Sequence, residues 1–86
     1  MTCRIDGVST EEGVVLRISG RIGGEDLEVF RTALEARRVV AIELAEVELV
    51  DRAAVELLGL VEANGIALRN CPAYIREWVT RERERR

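Results

Sequence analysis

Residues Val39–Gly65 read VVAIELAEVELVDRAAVELLGLVEANG, and the fold follows from how this stretch divides. Val39–Leu44 is a short apolar run rich in β-branched residues, the pattern of a central strand covered by helices. Glu46 and Glu48 bound it downstream, share a parity and suggest an exposed turn. Asp51 supplies a helix start, because an N-cap carboxylate accepts from unpaired first-turn amides and suits the positive end of the helix dipole. Arg52, Glu56, Gly59 and Glu62 then fall on one helical stripe, and Ala54, Leu57, Leu58 and Val61 on the opposite, apolar face. Asn64-Gly65 ends the helix, since both residues tolerate the left-handed conformation of a C-cap.

Upstream, Cys3–Asp6 and Val14–Ser19 alternate apolar and polar residues and form a plausible hairpin around a turn at Gly7–Gly13. Gly20 and Gly23-Gly24 break the second strand, and Glu25-Asp26 start a helix whose apolar stripe is Leu27, Phe30 and Leu34. Downstream, Ile66–Asn70 alternates again, and Pro72 opens a helix with Ile75, Trp78 and Val79 on its apolar edge, capped by Asn70 or Cys71. The order β-β-α-β-α-β-α predicts a small α/β domain, residues 1–80, built on an open mixed sheet of about four strands with helices mainly on one face. The charged run 81–86 reads as a frayed, solvated tail. Arg4, Arg17, Glu43 and Arg69 stand opposite the apolar set on their strands, as an uncovered sheet face requires.

The 86 residues make one domain small enough to gain from a partner subunit. Aromatics are only 3% of the chain and the net charge is −3, which disfavours base stacking and phosphate-backbone binding, so no nucleic-acid partner is expected. The sequence has no His, which removes the commonest general base and transition-metal ligand and weakens enzymatic readings. Cys3 and Cys71 lack ligand or disulfide spacing. No apolar run approaches a membrane span and no signal segment is present, so a cytoplasmic protein without a membrane span or cofactor is expected.

The residues offer three candidate chemistries. Cys71, just before a helix in Asn70-Cys71-Pro72, would be a dipole-activated thiol in a sulfur-carrier or redox protein, or simply a small residue before a helix-starting proline. Glu46, Glu48 and Asp51 would form an acid–base or metal site if they converged. The glycines of GRIGG match neither a dinucleotide nor a P-loop fingerprint.

The segment VVLRISGRIGG, then a helix, then VVAIELAEVELVDRAAVELL resembles the STAS domain of bacterial anti-sigma-factor antagonists over Val14–Ala73. The resemblance implies a mixed sheet with helices and a non-catalytic, signalling role in binding a partner protein such as an anti-sigma kinase. In that family the motif Asp is followed, two places on, by a Ser or Thr that the kinase phosphorylates. Asp51 matches the Asp; the phosphoacceptor falls on Ala53 and the following glycine on Ala54. Alanine carries no hydroxyl, and the chain's hydroxyls at Thr2, Ser9, Thr10, Ser19, Thr32, Tyr74 and Thr80 lie outside this junction, so the usual switch is absent. The implied partner-binding residues are Glu46, Glu48, Asp51, Arg52, Ala53 and Glu56. The family commonly adds a further strand and helix, which leaves Ile66–Asn70 as a free edge. That edge, or the helix carrying Tyr74 and Trp78, suits the alternative of a self-associating homodimer.

Overall fold

The computed structural model describes residues 3–85. Strands β1 (Cys3–Ser9), β2 (Val14–Ile22), β3 (Val39–Val50) and β4 (Ala67–Arg69) form one open sheet in the order β1-β2-β3-β4. β1 runs antiparallel to β2, while β2, β3 and β4 are parallel. Helices α1 (Leu27–Ala36), α2 (Arg52–Ala63) and α3 (Ala73–Glu84) complete the predicted α/β order, with a 3-10 turn at Gly24–Asp26 leading into α1. Strands adjacent in sequence are adjacent in the sheet, so successive right-handed crossovers return to the same side. Leu16, Ile18, Ile42 and Leu44 accordingly form one core cluster with Phe30 of α1, Val55 and Leu58 of α2, and Ile75 and Val79 of α3. This aliphatic core is the main stabilising term, since each fully buried Leu, Ile or Val contributes roughly 1.5–3 kcal/mol.

Several elements run further than the periodicity indicates. β1 continues through Gly7, Val8 and Ser9, which pair with Leu16, Val15 and Val14, and its turn shrinks to Thr10–Gly13. β2 passes through Gly20, whose φ of +89° accommodates an irregularity in the β2–β3 register without a Cβ penalty. The largest difference is in β3. Glu46 and Glu48 are exposed strand residues, not a turn: the strand takes an extra residue between the pairs Arg17–Glu43 and Ser19–Glu46 and carries on to Val50. Gly65 alone takes the left-handed conformation after α2 (φ +94°); Asn64 stays at φ −90° and its side-chain amide donates to the Leu60 carbonyl at 3.0 Å. Pro72 occupies the N-cap position of α3, so Asn70 and Cys71 lie outside the helix.

The polar stripe of α2 does not simply face water. α3 crosses it closely enough that a Cβ on the buried Gly59 would stand 3.3 Å from Arg83 Cγ. Glu62 accepts from Arg76 at 2.6 and 2.7 Å and from Arg83 at 2.8 Å. Two ends of α3 are therefore tied to one carboxylate of α2. Of the charged run beyond Thr80, the helix holds through Glu84, and Glu82 is buried with Arg52 and Arg85 each 3.9 Å away; Arg86 lies outside the described residues. No helix among the described residues is long and apolar enough to cross a membrane.

Hydrogen bonds from Arg76, assisted by Arg83, hold the Glu62 carboxyl at about 2, down from its ordinary 4.5. A folded-state value below the unfolded one adds stability that is complete above about 4.5 and is lost as pH falls toward 2. Chemical denaturation between pH 7 and pH 2.5 should show Glu62→Gln less stable at pH 7 by on the order of 2 kcal/mol, with the gap closing in acid. A gap independent of pH would contradict the assignment.

Candidate interaction surfaces

The junction between β3 and α2 is organised by one carboxylate. Asp51 sits in extended conformation (φ −103°, ψ 178°) with its side chain directed over the first turn of α2. Its Oδ1 accepts from the Ala54 amide at 2.9 Å, the N-cap bond expected from the sequence. Its Oδ2 accepts from the Gly24 amide at 2.8 Å, across 27 residues, and its own amide donates to the Ile22 carbonyl at 3.2 Å. The Gly23 amide in turn donates to Asp26 Oδ2 at 3.0 Å. The turn entering α1 and the start of α2 are thus locked together at the C-terminal ends of β2 and β3.

This lock presents Arg52, Ala53 and Glu56 on the first turns of α2. Arg52 is exposed and reaches Glu56 Oε2 at 3.5 Å; Ala53 and Glu56 are half-buried. The six residues singled out from sequence fall in two places. Asp51, Arg52, Ala53 and Glu56 share the junction, whereas Glu46 lies on the uncovered sheet face beside Arg4 and Arg17. Glu48 lies between them on β3, and its carbonyl accepts the Tyr74 hydroxyl of α3. Glu46, Glu48 and Asp51 do not converge; among the described residues no three His, Cys, Asp or Glu side chains are placed to hold a metal ion.

The second surface is the open sheet face, a shallow basin of about 700 Å³. It is ordered in rows. Asp6, Arg17, Glu43 and Arg69 are cross-strand partners in one line over all four strands. Val8, Val15, Ala41 and Ala67 form the row on one side, and Arg4, Ser19 and Glu46 the row on the other. Glu43 is held upright by the Asn70 amide (3.0 Å) and the Ala45 amide (3.2 Å). The sequence pattern marks Arg4, Arg17, Glu43 and Arg69 as the open-face charges and puts Asp6 on the side of Arg4 without counting it among them; with Asp6 and Glu46 included, a basic face with one carboxylate becomes an alternating one. Asp6 shares the parity of Arg4, so period two was the available signal; Glu46 is placed by the irregularity in β3, which leaves none.

Cys71 is half-buried and packs against the core. Burial pushes its thiol above the ordinary value, Arg76 pulling it down less and Glu62 adding to the rise, the opposite of an activated nucleophile.

No protein-family model matches this chain, and no curated protein matches it significantly.

If Asp51 serves both elements, its loss should exceed that of a simple cap. Asp51→Ala should destabilise the fold by about 2 kcal/mol, the top of the N-cap range, as read by urea denaturation. A cost near zero would show that neither bond contributes.

Proposed function

We propose that this chain is a non-catalytic protein-interaction module of the STAS type that docks on a regulatory protein through the start of α2 and is not switched by phosphorylation there. The observation that carries this reading is the Asp51 lock, which holds the surface around Arg52, Ala53 and Glu56 fixed before any partner arrives. A preformed surface loses little conformational freedom on binding, so its few exposed groups can supply affinity. The sequence order from Val14 to Ala73 supports the same assignment, since Ala53 stands where members of that family carry the phosphoacceptor. A methyl group there leaves the surface permanently in the state of an unphosphorylated relative. The partner is expected to be an anti-sigma kinase or a similar regulator in the cytoplasm.

The test is affinity capture from the native host with three forms of the chain. The wild type should retain a regulatory protein, of kinase fold or similar. Arg52→Glu, which reverses the exposed charge, and Ala53→Glu, which puts a carboxylate where relatives gain a phosphate, should each weaken retention at least about tenfold. A retained set identical for all three forms would overturn the reading.

A further inference from the structure

We propose that the open sheet face binds a second copy of this chain, face to face, about a two-fold axis that runs parallel to the strands between β2 and β3. The order of the rows is self-complementary. Across the sheet the charged row reads Asp6, Arg17, Glu43, Arg69, alternating minus, plus, minus, plus. A rotation about an axis along the strands keeps each row at its own level and reverses its cross-strand order. Asp6 then faces the second copy's Arg69, and Arg17 faces its Glu43, so all four contacts in the row join opposite charges.

The neighbouring rows obey the same operator. The apolar row has its two valines, Val8 and Val15, on β1 and β2 and its two alanines, Ala41 and Ala67, on β3 and β4. Reversal sets the exposed Val8 on the second copy's exposed Ala67, a large side chain on a small one as facing sheets at about 10 Å require, while Ala41 is covered by its own neighbours and leaves the middle of the row level. In the third row Ser19 meets the second copy's Glu46, a hydroxyl donor against a carboxylate. A two-fold axis along the charged row itself would instead set every charge on its own kind, so the face selects one arrangement.

A second copy fits this surface better than a strongly charged partner. Two carboxylates and two guanidinium groups leave the row with no net charge for a polyanion or polycation to meet. Nor are three of its four charges neutralised by ion pairs within the chain: among the described residues no ion pair joins Arg17, Glu43 or Arg69, and only Asp6 is engaged, by Arg4 at 3.1 Å. The inference is independent of the docking surface on α2, and either can fail alone.

Sedimentation equilibrium of the full chain up to about 1 mM is the experiment, because weak isologous pairs are half-formed in that range. The wild type should pass from monomer to dimer. Arg17→Glu sets like charges together twice per dimer and should weaken association at least about tenfold, and so should Glu43→Arg. An equimolar mixture of the two variants restores opposite charges at both contacts and should form a heterodimer. No effect within one chain can produce that recovery. Should either variant fail to fold, Asp6→Arg with Arg69→Asp tests the same operator at the sheet edges. A wild type monomeric throughout, a single variant that self-associates like the wild type, or a mixture that stays monomeric would each overturn the proposal.

Discussion

Asp51 offers two carboxylate oxygens to two backbone amides that have no other acceptor within their own elements, and the arrangement of the domain depends on that double acceptance. The Ala54 amide belongs to the first turn of α2, where helix geometry leaves donors unpaired. The Gly24 amide belongs to the turn that leads into α1. One side chain therefore fixes where both crossover helices leave the sheet. With β2 and β3 adjacent and parallel, right-handed crossovers put the helices on one side, and the aliphatic core forms between them and the sheet. Everything left over on the strands faces the other way.

The helical layer is closed by a second set of charges. Glu62 engages Arg76 and Arg83, two turns apart on α3, and this converts the polar stripe of α2 into a packing surface. These pairs are partly screened from water, so they outweigh the typical exposed ion pair, which contributes less than about 1 kcal/mol. Their consequence is topological as much as energetic: α3 stays on the helical side and leaves the sheet face open.

The strand–helix alternation, the core face of each helix and the Asp51 cap were legible because each is a local pattern of period two, period 3.6 or a single capping residue. What was not legible is non-local. Glu46 and Glu48 end an apolar run, yet charge on that parity is tolerated because the sheet face is uncovered, so β3 continues to Val50. Glu62 and Arg83 are 21 residues apart, and no window shows that they meet. For the same reason Arg81–Glu84, charged throughout, is held as helix by contacts with α2 rather than by its own composition. The candidate surfaces divide likewise: the junction at Arg52 and Ala53 could be read from sequence, while the alternation of Asp6, Arg17, Glu43 and Arg69 exists only once four strands are in register.

The central claim is a two-layer domain with one sheet face left to solvent and available for docking. Paramagnetic line broadening by a neutral, soluble relaxation agent tests it most directly on a dilute sample, where any pairing of copies is dissolved. The methyl resonances of Val8, Val15 and Ala45 should broaden strongly, while those of Leu16, Ile18, Ile42 and Leu44 on the same strands stay sharp. Equal protection of both sets would contradict the account, because it would mean that the second face is covered by the chain itself.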